Sequence, residues 1–136
     1  MKQLSMDATL ENLDTVQDFI RQQLEEADCP MKTMLQVEVA VEEIYVNIAH
    51  YAYHPGVGEV VVSCEVSGEP AGVTIRFQDG GVPFNPLEKK DADITLSAEE
   101  REIGGLGILM VKRTMDQVTY AYEDRKNVLT IYKTLE

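Results

Sequence analysis

Cations are scarce in this sequence. Twelve lysines and arginines stand against 24 aspartates and glutamates in 136 residues, a formal charge of -12. That balance argues against nucleic acid or anionic lipid as partners, because both are held by cationic side chains. A polyanionic ligand would have to be met by backbone amides, a metal and a few local groups, whereas a basic protein partner is favoured. Long apolar runs are missing as well. None approaches the ~18 residues that a membrane span requires, and the first residues carry no apolar run of the signal-peptide kind. Cysteine is limited to Cys29 and Cys64, too far apart for any metal-ligand spacing. Cys64 lies in an alternating apolar run and is expected as a small core residue, so a cytoplasmic protein with free thiols is the expectation. Repeats, linkers and low-complexity tails are absent too. The 44% hydrophobic content suffices for a core, and the length suits a single domain over residues 1–136.

What is present predicts mixed α and β structure. Residues 1–8 suit a short first strand. Apolar residues at Leu13, Val16, Phe19, Ile20 and Leu24 predict an amphipathic helix over 12–26. A longer helix is predicted over 31–53, stopped by His54-Pro55-Gly56. Two strands follow. In the first, Val60, Val62, Cys64 and Val66 share a face; in the second, Val73, Ile75 and Phe77 do. Asp79 continues that apolar side, an unusual place for a carboxylate. Residues 80–105 look irregular, and loops of such length are commonly functional or disordered. A helix is predicted from about Gly107 to Met115. A hairpin closes the chain, with its turn at Asp124-Arg125-Lys126-Asn127.

Three constellations carry chemistry. Glu43 and Asn47 are four apart, hence on one face of their helix. A carboxamide oxygen can coordinate Mg²⁺, and a carboxylate one turn away can accept a proton. In Asp79-Gly80-Gly81-Val82-Pro83-Phe84, a carboxylate at the end of a buried strand can accept a hydrogen bond from an amino group, and the glycines allow close backbone approach. In Gly104-Gly105-Leu106-Gly107, glycines opening a helix leave its first N–H groups to face an anion. This last stretch is neither a Walker A loop, since no Gly-Lys-Ser/Thr follows, nor a dinucleotide fingerprint, since Met110 stands where a third glycine belongs.

The order of these features resembles that of the Bergerat ATP-binding (GHKL) superfamily of gyrase, Hsp90, histidine kinases and MutL. It is most similar to the stand-alone branch of anti-sigma-factor serine/threonine kinases. Glu43-x-x-x-Asn47 resembles the N box, Asp79-x-Gly81-x-Pro83-Phe84 the first glycine box and Gly105-x-Gly107 the second. The resemblance implies an α+β two-layer sandwich of the Bergerat, histidine-kinase-like ATPase fold. Its sheet would be mixed and mostly antiparallel, with helices on one face. It further implies ATP and Mg²⁺ as cofactors, Asn47 as the metal ligand and Glu43 as the general base. Asp79 would pair with the adenine amine, and Gly81 would let the ring pack closely. Gly105, Leu106 and Gly107 would offer amides to phosphate, with Thr130 supporting adenine and residues 87–103 forming a lid. Phosphoryl transfer depends mainly on positioning and charge neutralisation, so this small set could suffice.

The implied function is an ATP-dependent serine/threonine protein kinase acting as an anti-sigma factor. Its partners would be a sigma factor and a STAS-domain anti-anti-sigma protein whose serine it phosphorylates, with a homodimer as a further expectation. Two positions depart from the kinase pattern. Ile103 stands where an arginine often precedes the second glycine box, with Arg101 two residues earlier. Tyr51 stands where a histidine is usual. The alternative is therefore an ATP- or ADP-responsive partner-binding module with little kinase activity.

Overall fold

The computed structural model describes residues 1–88 and 105–135. Among the described residues, alternation of apolar and polar residues produces five strands: β1 (Lys2–Asp7), β2 (Glu59–Ser67), β3 (Gly72–Asp79), β4 (Gln117–Glu123) and β5 (Lys126–Thr134). They form one sheet in the order β1-β2-β3-β5-β4. Every pairing among the described residues is antiparallel, in keeping with the mostly antiparallel sheet that the resemblance implies. The α-helices among the described residues are α1 (Leu13–Glu26), α2 (Met31–Asn47) and α3 (Gly105–Thr114).

Register puts the apolar halves of the strands on one face. Val62 lies opposite Phe77, which lies opposite Leu129, and Cys64, Ile75 and Ile131 form the next row. Val16, Ile20 and Leu24 of α1 and Val37, Val41 and Ile44 of α2 are buried in the same core. Helix α3 adds Val111, and Met115, just past its end, joins it. The result is a helical layer over one sheet face, held mainly by burial of aliphatic side chains, each contributing roughly 1.5–3 kcal/mol. Tyr45 is fully buried in that core. Its hydroxyl donates to the Thr9 carbonyl at 2.6 Å, which fixes α2 to the chain leaving β1. None of the described helices is long and apolar enough to cross a membrane.

Two local departures from the sequence expectation matter for the site. The helix predicted over 31–53 is α-helical only to Asn47 and continues as a π-helical turn over Ile48–Ala52. The final turn is tighter than expected. Asp124 and Arg125, with φ of 52° and 64°, form it alone, and Lys126 and Asn127 already belong to β5. Two consecutive left-handed residues match the right-handed twist of the flanking strands. This moves Asn127 from a solvent turn into the sheet.

Candidate functional site

The C-terminal end of α2, the π-helical turn, the ends of β3 and β5 and the start of α3 surround one cavity of about 620 Å³. Its walls are largely apolar, with Ile44, Ile48, Phe84, Ile108 and Leu129 among them, and its polar groups include Asp79, Asn47 and Asn127. That is the usual make-up of a small-molecule site, where a few polar groups orient a ligand held by apolar walls.

Asp79 is buried at the end of β3, opposite Val60 on one side and Asn127 on the other. Its Oδ1 accepts the Gly81 N–H at 2.9 Å and the Asn127 amide at 3.0 Å. Oδ2 has no hydrogen-bond partner among the described residues. One carboxylate oxygen is thus fixed by the protein while the other remains able to accept.

Asn127 is the residue that the sequence motifs did not point to. Its amide donates to Asp79 and, at 2.9 Å, to the Val82 carbonyl. Its oxygen accepts the Phe84 N–H at 3.1 Å and the Tyr120 hydroxyl. This buried side chain ties the acid to the loop after β3, and both of its polar ends are used. The available signal was period-two alternation, since Ile131 and Leu129 face the core and position 127 falls in phase with them.

The same alternation sets the position of Thr130, the residue that the resemblance links to adenine. Thr130 lies out of phase with Leu129 and Ile131, pairs with Arg76 and Thr119 and is absent from the cavity wall. On β5 the polar contact to Asp79 comes from Asn127 instead. Gly81 is also needed for a reason other than ligand approach. A Cβ there would stand 2.1 Å from the Ala52 carbonyl oxygen, which accepts the Val82 N–H at 3.1 Å. The glycine lets the loop lie against the π-helical turn.

Tyr53 completes that junction. Its hydroxyl accepts the Gly80 N–H and donates to the Glu59 carbonyl, both at 2.6 Å. Burial raises its pKa, which keeps the donating proton in place.

Asn47 lines the cavity, and no described residue hydrogen-bonds its carboxamide. Glu43 lies one helical turn earlier, about 6 Å along the axis. It is half-buried and not part of the cavity wall. Helix α3 starts at Gly105, two residues earlier than expected, and Ile108 in its first turn lines the cavity. The N–H groups of the 105–107 turn, which have no partner within the helix, therefore belong to an element bordering the site. Residues 89–104, with most of the expected lid, Ile103 and Arg101, lie outside the described residues.

Comparison with known proteins agrees with this architecture. Curated relatives include the serine-protein kinase RsbW of Bacillus mycoides (strain KBAB4), 28% identical over 100 residues that cover 71% of this chain and 61% of that protein. Another is the RsbW serine-protein kinase of Bacillus cereus, 24% identical over 95 residues, 68% of this chain and 59% of the relative. The chain thus spans about three fifths of the length of these relatives. Among solved structures, the RsbU and RsbW domains of Rv1364c from Mycobacterium tuberculosis superpose with a TM-score of 0.68 at 18% identity. That match covers 99% of this chain and 33% of the other and supports a shared fold. The family described as histidine kinase-like ATPase domain matches residues 6–133, nearly the whole sequence. With its sheet, helical layer and bordered cavity, this chain belongs to the histidine kinase-like ATPase domain family.

Proposed function

We propose that the cavity binds ATP and that the protein is a serine/threonine protein kinase of the anti-sigma type, acting on a serine of a STAS-domain partner. The observation that carries the nucleotide assignment is the Asp79 carboxylate. One of its oxygens is committed to Asn127 and Gly81, and the other is without a partner among the described residues, beside apolar walls. An acceptor there suits the exocyclic amine of adenine and opposes the oxygen that guanine carries at the same ring position. The donor set also fits Mg²⁺, a hard cation that keeps most of its waters and needs few protein ligands. Asn47 would hold the ion, whose charge would neutralise phosphate when bound. The amides at 105–107 meet phosphate oxygens without lysine, as the acidic composition requires.

In transfer, Glu43 takes the proton of the serine hydroxyl while that oxygen bonds to the γ-phosphorus. The bond from phosphorus to the bridging oxygen breaks, and ADP leaves with the electron pair. As the resemblance to anti-sigma-factor kinases implies, a sigma factor is the second partner. The finding that Glu43 stands outside the cavity wall favours a second reading, a nucleotide-responsive binding module in which transfer is slow.

The test is titration with Mg-ATP and Mg-GTP, followed by phosphorylation of a STAS-domain protein encoded in the same genome. ATP should raise the melting temperature and GTP should do so far less. Asp79→Asn should weaken ATP binding about tenfold or more, by the scale of a charged hydrogen bond. Glu43→Gln should retain binding and lose transfer by roughly 10²–10⁴-fold. Full transfer by Glu43→Gln would remove the base assignment. Binding without transfer in the wild type would select the second reading, and no response to ATP would end both.

A further inference from the structure

Away from the cavity, α2 leaves three apolar side chains in water. Met31, Leu35 and Val39 are 66%, 53% and 47% exposed and recur every fourth residue, so they share one side of the helix. Leu35 and Val39 line a cleft between α2 and α1, together with Asp14, Asp18, Glu38 and Glu42. The cleft includes positions 13 to 21 of α1, roughly 12 Å of helix or two turns. It shares no lining residue with the Asp79 cavity.

Its charge decides what fits. Arg21 is the single cation among the lining residues, and its guanidinium is engaged, 2.7 Å from Glu38 and 3.4 Å from Asp18. Four carboxylates against one guanidinium leave the cleft acidic. A second copy placed there symmetrically would bring acid against acid. Nucleic acid and anionic bilayers are repelled for the same reason. The chain's own 89–104 stretch carries five acids and three bases, so it too is a poor complement. What remains complementary is a cationic segment with an apolar stripe. A groove between two helices receives such a segment best as a helix, with anchors spaced three and four residues apart.

We propose that the α1–α2 cleft is a docking surface for a basic amphipathic helix of a partner protein, with Leu35 and Val39 as its apolar contacts and the four carboxylates as its electrostatic guides. The assignment does not depend on nucleotide binding. It does place the partner along the helix whose next turn carries Glu43.

The experiment uses the full chain and two designed peptides of identical composition. One has leucines in helical register among lysines and arginines, and the other is scrambled so that no stripe forms. Binding is followed by amide shifts and by titration at two salt concentrations. The registered peptide should bind saturably, shift amides of α1 and α2 between Leu13 and Glu42 and weaken as salt rises. Leu35→Asp should cost roughly tenfold or more in affinity. Leu35 is half exposed, so that variant should melt at the wild-type temperature. Asp14→Lys with Glu42→Lys should weaken binding and flatten its salt dependence. Equal binding of the scrambled peptide, shifts confined to other surfaces, or undiminished binding by Leu35→Asp would overturn the proposal. So would self-association of the wild type that Leu35→Asp abolishes, since the occupant would then be a second copy.

Discussion

Gly80 and Gly81 are neighbours with opposite tolerances. A Cβ on Gly81 would meet the Ala52 backbone at 2.1 Å, and backbone cannot swing aside. A Cβ on Gly80 would meet only the Tyr53 hydroxyl at 3.5 Å, an ordinary contact. Gly81→Ala should therefore destabilise by about 1–3 kcal/mol, and Gly80→Ala should stay within about 0.5 kcal/mol of wild type. Urea denaturation of both variants checks this, and equal stabilities would mean that the loop does not lie against the π-helical turn. The two cysteines differ as sharply. Cys64 is fully buried and its thiol is pushed up to about 12 by desolvation, whereas Cys29 is only half-buried. Since the thiolate is the reacting form, iodoacetamide should modify Cys29 alone in the native protein and both in denaturant. Mass spectrometry of the timed reaction would show the reverse order if the β2 face were open. The core role of Cys64 was legible from alternation, whereas the need for Gly81 depends on a helix end remote in sequence.

At the scale of elements, the joint between α3 and the final hairpin rests on Asp116. Its N–H donates to the Tyr132 carbonyl at 2.9 Å, and its carboxylate accepts the Thr134 N–H at 2.7 Å. That backbone hydrogen bond, then the Thr134 hydroxyl and the Lys133 ammonium 3.7 Å away, hold the carboxyl below its ordinary value of 3.8. A depressed folded pKa means that the unfolded chain takes up the proton more readily. The stabilisation is therefore complete above the ordinary value and fades as pH falls through the folded one. Asp116→Asn should be less stable than wild type at neutral pH, and the gap should close in acid. A gap that persists unchanged to pH ~2, below the usual carboxylate range, would assign the effect to shape rather than charge. The hairpin also shows how far local pattern reaches. Strands 118–122 and 128–133 were visible by alternation, but a turn of two residues rather than four was decided by the twist of the paired strands.

For the whole molecule, a formal charge of -12 on a chain this small makes the folded state repel itself. Added sodium chloride shortens the reach of that repulsion to ~8 Å at about 0.15 M. The melting temperature should rise by a few degrees between low salt and that concentration, and scanning calorimetry without added nucleotide measures it. A flat or falling trend would show that local ion pairs such as Arg21–Glu38 outweigh the net charge. The sequence by itself determined the types of the elements, the face each presents to the core and the pairing of Glu43 with Asn47 on one helix. Those properties follow from periods of 2 and 3.6 within a single segment. It also carried the ordered motifs that mark the family. The tertiary structure alone decided that β5 lies beside β3, that Asn127 therefore meets Asp79 and that Thr130 turns away. It likewise decided that the helix widens after Asn47 to receive Gly81 and that the α1–α2 cleft is left open. Those are contacts between segments far apart in the chain, and no local period encodes which strand becomes whose neighbour.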